Sequence, residues 1–281
     1  MSLTDSGLPA DTQIAFIGGG NMARALIGGL CQRDVSPETI RVSEPQAALR
    51  EALTRDFGVI ASADNAEATA HAGVVVLAVK PQLMRPVLAE LAPQLDSDPL
   101  LLSIAAGITT SQLDAWSGGG RRVVRSMPNT PALIGQGACG LHANPACTAE
   151  DRRVAASLLG AVGVCAWIEE ESLMDAVTAL SGSGPAYLFL LAEAMQAAGE
   201  REGLPTATAR LLARQTLIGA AGMLAADASA AAELRHRVTS PGGTTQAAIE
   251  SLQDGAFESL VARAIQAARR RGAELSAAAE G

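Results

Sequence analysis

Residues 14–23 read Ile-Ala-Phe-Ile-Gly-Gly-Gly-Asn-Met-Ala, and this stretch decides the fold. Ile14–Ile17 is a short apolar strand, Gly18 to Gly20 form a turn, and Ala23–Cys31 continues as a helix. Gly18, Gly20 and Ala23 stand in GxGxxA spacing. The first glycine permits a tight turn, the second lets backbone approach a pyrophosphate, and the small third residue lets helix and strand pack closely. The helix start then presents unpaired N–H groups and the positive end of its dipole to an anion. Such a string alone says little, but here it sits in the strand–turn–helix setting that dinucleotide binding demands. A purely structural glycine turn is the competing reading.

Outward from this unit the pattern repeats. Apolar runs at Ile40–Val42, Val59–Ala61, Val74–Val79, Leu100–Ile104 and Arg122–Arg125 read as strands, separated by helical stretches such as Gln46–Arg55. Strands bridged by helices imply parallel pairing with right-handed crossovers, and near-continuous apolar strands fit burial on both faces. The expectation is an α/β fold in which residues 1–168 form a Rossmann-like, doubly wound dinucleotide-binding domain. From about Glu170 the strand signal ends. Residues 171–180, 185–200, 205–226, 229–238 and 245–279 read as Ala- and Leu-rich helices, with Gly203-Leu204-Pro205 marking a stop and a new start. Residues 169–281 are therefore expected to be an all-α domain for dimerisation and substrate binding. Helices such as Leu211–Leu224 lack a wide polar face and call for burial on more than one side. Pairing of two chains supplies that burial; ordinary packing within a monomer is the alternative.

Composition bounds the partners. The 281 residues include 21 Lys and Arg against 29 Asp and Glu, a formal net charge of -8, which argues against nucleic acid. Hydrophobic residues make up 48% but aromatics only 2%, so a large core must be built from Ala, Val, Leu and Ile. Cys31, Cys139, Cys147 and Cys165 show no CxxC spacing and read as reduced thiols of a cytoplasmic protein, with no metal site. Met1 to Thr12 carry no signal pattern, and the longest tight apolar run, Val74–Val79, is far short of a membrane span.

Further strings narrow the reading. Ala78-Val79-Lys80-Pro81, Ser103-Ile104-Ala105-Ala106-Gly107 and Arg125-Ser126-Met127-Pro128-Asn129-Thr130-Pro131 each follow or end a strand. The helical half carries Ser181-Gly182-Ser183-Gly184-Pro185-Ala186-Tyr187 and Thr239-Ser240-Pro241-Gly242-Gly243-Thr244-Thr245. In this order, from about Gln13 to Leu275, the set closely resembles the pyrroline-5-carboxylate reductase family. The resemblance implies an oxidoreductase that reduces 1-pyrroline-5-carboxylate to proline, the last step of proline biosynthesis, with NADP or NAD as cofactor. It implies a Rossmann domain followed by a helical dimerisation domain, an active site between them, and a homodimer assembling into a decamer. By position it implies that Ile17, Gly18, Gly19, Gly20, Asn21 and Met22 hold the pyrophosphate and that Asn65 meets the adenine-side ribose. Ala78, Val79, Lys80 and Pro81, with Ile104, Ala105 and Ala106, would line the nicotinamide side. Ser240, Thr244 and Thr245 would hold the substrate, with Glu171, Arg237 and Thr239 at the pocket's periphery. Arg237 stands where some members carry a smaller polar residue. Glu44 likewise departs from the small polar residue that some members, often NADPH-preferring, place there.

The chemistry is consistent with these residue types. A protonated ring imine is already a strong electrophile, so the enzyme's main task is to align it with a hydride donor. The motifs contain no His; His71, His142 and His236 lie outside them. Pro241-Gly242 is a turn, Gly242 and Gly243 offer backbone N–H groups, and Thr244 and Thr245 stand at a helix start, a combination that suits a carboxylate. The Thr245 hydroxyl is assigned to the ring nitrogen; a plain N-cap is the other reading. Lys80, at the carboxyl edge of the sheet, is expected to contact cofactor or substrate carboxylate, the alternative being a solvated ammonium. Thr245 and Lys80 are thus the candidate catalytic residues. Glu44, after the second strand, can accept ribose hydroxyls and repel a 2′-phosphate, which leans toward NADH. Alternatively it is a solvated loop carboxylate with Ser43 reaching the ribose. Another cyclic imine reductase or a β-hydroxyacid-dehydrogenase-like enzyme is the competing activity. The latter would place a Lys on the first interdomain helix, and Glu169 to Tyr187 contain none. A non-catalytic nucleotide sensor is a different class of answer.

Overall fold

The structure, a computed structural model, describes residues 7–9, 11–95 and 97–278; of the N-terminal stretch read above, residues 1–6 and 10 lie outside these. Its strands are β1 (Ile14–Ile17), β2 (Ile40–Ser43), β3 (Ile60–Ser62), β4 (Val74–Leu77), β5 (Leu100–Ser103), β6 (Val123–Met127), β7 (Gly137–Ala143) and β8 (Gly163–Trp167). They form one sheet in the order β3-β2-β1-β4-β5-β6-β7-β8. The helices are α1 (Asn21–Cys31), α2 (Ala47–Phe57), α3 (Asn65–Thr69), α4 (Pro81–Leu91), α5 (Thr110–Trp116), α6 (Ala149–Gly160) and α7 (Met174–Val177). After them come α8 (Gly184–Arg201), α9 (Thr206–Ala226), α10 (Ala231–Arg237), α11 (Thr244–Asp254) and α12 (Phe257–Ala278).

The period of two along each strand splits the core into two layers. Phe16, Val42, Val76 and Leu102 face one way, onto Leu26, Ile27 and Leu30 of α1. Ala15, Ile17, Val75, Leu77 and Leu101 face the other, onto Met84, Leu88 and Leu91 of α4. Burial on both faces is what a doubly wound sheet requires.

From β3 to β6 every pairing is parallel, as expected, but β7 runs antiparallel to β6 and parallel to β8. The apolar-run reading misses β7 and β8. Gly137–Ala143 is five small residues with Leu141 and His142 and no β-branched side chain, and β8 is an edge strand with Val164 and Ala166 exposed. The single helix expected over 245–279 is two, parted at Gly255 and Ala256, where Ala256 takes φ 56. The helix expected over 171–180 is a 3-10 turn, the four-residue α7 and a π-helical turn at Thr178–Gly182.

The chain forms two compact units: residues up to Ser183 together with those from Ala268 onward, and Gly184–Ala267. This differs from the division after residue 168. Residues 169–183 cling to the sheet: Met174 is fully buried, and Gly140 and Gly182 leave room for Val177 and for the Met127 Cε, which an added Cβ would approach to 2.6 Å in each case. A buried charge cluster reinforces the attachment. Arg125 of β6, only 4% exposed, donates to the Glu171 carboxylate at 3.2 Å, and Asp175 stands 3.8 Å from its guanidinium. The same carboxylate accepts the Thr110 N–H and hydroxyl, each at 2.7 Å, at the start of α5. His142 of β7 approaches Glu171 to 3.9 Å and bonds the Ile168 carbonyl through Nδ1.

The helical unit buries few side chains of its own. No residue of α8 is buried, and α9 buries only Ala209 and Ala213. Leu188, Phe189, Leu190, Leu211, Leu212 and Ile218 are exposed. Among the described residues no helix is long and apolar enough to cross a membrane.

Glu171 is 23% exposed, and Asp175 stays beside Arg125 when it is removed. Glu171→Ala is expected to lower stability by about 1–3 kcal/mol, read as a lower denaturant midpoint at unchanged slope. A loss below about 1 kcal/mol would mean that Asp175 alone satisfies Arg125.

Candidate active site

The sheet order reverses between β1 and β4, and ligands of such sheets bind beyond the strand ends at that reversal. There the loop after β1 lies directly on the loop after β4. Gly18 takes φ 100, and a Cβ on it would stand 2.7 Å from the Ala78 carbonyl oxygen. The Ala78 N–H donates back to Ile17, and the Ile104 N–H to Leu77. Residues 17–22, 78–81 and 104–106, assigned separately from the sequence, therefore converge on one edge. Within that edge Ala105 is buried and Ala106 exposed, with Ala78, Val79, Pro81 and Ile104 half-buried.

The glycine turn has room for a phosphate. A Cβ on Gly20 would meet no protein atom within 4 Å, although its φ of -69 suits any residue. No side chain caps α1, so the N–H groups of its first turn remain without helical partners. An anion fits that cradle.

Glu44 is neither a solvated loop residue nor free. It is 6% exposed, and its carboxylate accepts the Gly19 N–H and the Gln46 N–H, each at 2.9 Å. Glu44 thus pins the middle glycine of the turn. Beside it, Ser43 donates to the Asn65 side-chain carbonyl at 2.7 Å, and Arg50 covers the carbonyls of Glu44 and Pro45. Lys80 is exposed at the N-cap of α4, makes no ion pair among the described residues, and is the only lysine in the chain. A cavity of about 420 Å³ opens beside Pro81 and Ala106, walled by Ile108, Trp116, Asp175 and Leu275.

In the helical unit Ser240–Gly243 closes a turn by a 3.0 Å bond from the Gly243 N–H to the Ser240 carbonyl. Pro241 precedes Gly242 at φ 70, the arrangement of a type II turn. The Gly242 N–H is also engaged, by Gln246 Oε1 at 2.7 Å, so neither glycine N–H is available as expected from the sequence. What remains open is the start of α11. Its N-cap is Gly243, without a side-chain bond, and the hydroxyls of Thr244 and Thr245 make no hydrogen bond among the described residues. Thr245 is therefore not an N-cap. Arg237 is committed to Asp227, Glu233 and Ser229, and Thr239 donates to the Arg235 carbonyl.

Sequence reasoning missed the joint that holds two motifs together. Asn129, buried, donates to the Ser181 carbonyl at 3.0 Å and accepts the Ala138 N–H at 2.9 Å. The Asn in MPNTP was the available signal, but its partners are 52 and 9 residues away.

The two glycines of the turn should respond oppositely to substitution. A Cβ on Gly19 would stand 2.7 Å from Leu53 Cδ1, a fully buried side chain, so Gly19→Ala is expected to destabilise by about 1–3 kcal/mol. Gly20→Val should keep its melting temperature and lose dinucleotide affinity by more than about tenfold, ~1.4 kcal/mol. Unchanged affinity in Gly20→Val, measured by fluorescence titration with NADPH and NADH, would remove the basis for the cradle.

Comparison with known proteins agrees with both halves. A family model described as NADP oxidoreductase, coenzyme F420-dependent, matches residues 13–107. One described as pyrroline-5-carboxylate reductase dimerisation matches residues 171–275, the stretch with the exposed apolar helices, which is accordingly a dimerisation region. The pyrroline-5-carboxylate reductase of Pseudomonas aeruginosa is 53% identical over 94% of this chain and 97% of its own. The solved structure of the Coxiella burnetii pyrroline-5-carboxylate reductase superposes with a TM-score of 0.91 at 41% identity, covering 94% of this chain and 98% of the other. That of the Plasmodium falciparum pyrroline carboxylate reductase, with NADP bound, gives 0.81 at 29% identity, covering 95% and 99%. The chain belongs to the pyrroline-5-carboxylate reductase family.

Proposed function

We propose that this chain reduces 1-pyrroline-5-carboxylate to proline with NADPH or NADH. The observation that carries the reading is the start of α11, where two threonine hydroxyls stand free of any internal bond behind a glycine turn, in a chain of this family. The substrate brings a carboxylate and a protonated ring nitrogen, and that helix start offers a partner for each. The N–H groups of Thr244 and Thr245 precede the first helical bond, from Ala247 to Gly243, and take the carboxylate with the dipole in their favour. Ser240 and the Thr244 hydroxyl flank it. The Thr245 hydroxyl oxygen accepts from the ring N–H. A dihydronicotinamide, when bound, would supply the hydride for the C=N carbon. Because the imine arrives protonated, no side chain has to deliver a proton to the ring nitrogen, and alignment is the main contribution.

On the cofactor side, Ile17 and Gly18 to Met22 cradle the pyrophosphate, Asn65 and Ser43 reach the ribose, and Ala78–Pro81 with Ile104–Ala106 bound the nicotinamide. Lys80, whose ammonium has no competing carboxylate, pairs with an anionic group of cofactor or substrate. Glu171 and Arg237 act at the periphery by holding the scaffold through the bonds already described. The dimer assembles further into a decamer. Four free thiols fit a reducing cytoplasm.

Purified enzyme is expected to oxidise NADPH or NADH on addition of pyrroline-5-carboxylate and not with 3-oxoacids. Thr245→Ala should reduce kcat by one to two orders of magnitude, about 1.5–3 kcal/mol for a hydrogen bond to a charged partner. Thr245→Ser should keep most of the activity. Since Thr245 caps nothing, the melting temperature of both variants should match the parent; an Ala variant with full turnover would refute the assignment.

Cofactor choice is expected to pivot on Glu44. Glu44→Ser should raise the kcat/KM ratio for NADPH over NADH, because a buried carboxylate at the end of β2 opposes a 2′-phosphate. The same substitution frees the Gly19 N–H, so affinity for both nucleotides should fall together. An unaltered ratio would confine Glu44 to bracing the turn.

A further inference from the structure

Two of the four cysteines are neighbours across a strand pair. Cys139 of β7 and Cys165 of β8 are register partners in the parallel ladder, so their side chains lie on the same face of the sheet. Both pack into the cluster that α6 covers, Cys139 at 8% exposure and Cys165 half-buried on the edge strand. Adjacent strands stand about 4.7–4.9 Å apart, within the Cα separation of about 4.4–6.8 Å that a disulfide spans. We propose that Cys139 and Cys165 form a peroxide-responsive dithiol that closes reversibly into a disulfide between β7 and β8.

The surroundings divide the roles. The Sγ of Cys139 meets the Gly140 carbonyl at 3.5 Å and that of Cys165 the Ala156 carbonyl at 3.9 Å. The neighbouring Cys139 thiol pulls the Cys165 thiol below its ordinary value against the opposing effect of burial, and the Arg33 guanidinium adds to the lowering. The same contact, with burial, pushes Cys139 well up. Cys31 is raised by burial, and burial with the nearby Asp151 lifts Cys147 to about 11. Thiolate character therefore concentrates on Cys165, which is also on the accessible edge. Its thiolate attacks one oxygen of hydrogen peroxide; the S–O bond forms, the O–O bond breaks, and the leaving hydroxide becomes water. Cys139 sulfur then attacks the sulfenyl sulfur of Cys165. The S–S bond forms, the S–O bond breaks, and the departing hydroxide takes the Cys139 proton as a second water. Two thiols lose two electrons and two protons, and one peroxide becomes two waters. Parallel register partners point their Cβ bonds side by side, not toward each other, so the closed bond pulls on the ladder and is readily reduced again by a small thiol.

The test is thiol counting on the full-length dimer. Untreated protein, denatured and alkylated with N-ethylmaleimide, should carry four adducts, one per cysteine. After brief exposure to sub-millimolar hydrogen peroxide it should carry two fewer. Proteolysis should return one peptide pair joined through Cys139 and Cys165, and dithiothreitol should restore all four adducts. In Cys139→Ala no link should form, and Cys165 should instead be trapped by dimedone as its sulfenic acid. Should that buried position not tolerate substitution, Cys165→Ala reports the same, with Cys139 remaining fully alkylatable. Retention of four adducts, a link between any other pair or between chains, or over-oxidation of Cys165 with Cys139 still free would each overturn the proposal.

Discussion

The contact between Gly18 and the carbonyl of Ala78 is the constraint on which the carboxyl edge of the sheet depends. A Cβ at residue 18 would come to 2.7 Å from that oxygen, and the backbone there turns through a positive φ that glycine accepts without strain. Because the two loops touch, the end of β1 and the end of β4 share one crevice at the reversal of strand order. The helix start that follows then points its free N–H groups into it. Glu44 completes the arrangement from below, holding Gly19 by a buried carboxylate while Gly20 is left facing open space.

A second constraint fixes the far end of the sheet. Arg125 is buried on β6 and its guanidinium meets the carboxylates of Glu171 and Asp175, which tie residues 169–183 to the sheet. Glu171 also organises α5 through Thr110, and Asn129 joins the loop after β6 to the turn that opens the helical unit's sequence. The strings RSMPNTP and SGSGP, which help to identify the family, are in large part this joint. Their polar side chains are spent on internal bonds: Arg125 on Glu171, Ser126 on the Ser103 carbonyl, Asn129 on the Ser181 carbonyl and Ser181 on the Val177 carbonyl.

The helical unit illustrates the opposite economy. Its helices bury small residues such as Ala209 and Ala213 against one another and leave leucines outward, a distribution that a second chain must cover. Within it the N–H groups of Gly242 and Gly243 are engaged by Gln246 and by the Ser240 carbonyl, and the N–H groups of Thr244 and Thr245 come before the first helical bond of α11.

Much of this was legible in the sequence. Strands such as Val74–Leu77 and the GxGxxA turn are local patterns, set by side-chain period and by glycine's lack of a Cβ, and they specify a Rossmann-like sheet without reference to the rest of the chain. The motif strings likewise led to the family. Illegible were β7 and β8, which carry few β-forming side chains and pair where β6 offers an edge. Glu44 stood in the right place, but its direction was decided by which N–H groups lay within reach once the turn had folded. The same holds for Cys139 and Cys165, 26 positions apart and meaningless as a spacing. Sequence determines periodicity and local conformation; which polar group finds which partner is settled by residues distant in the chain, and only packing brings those together.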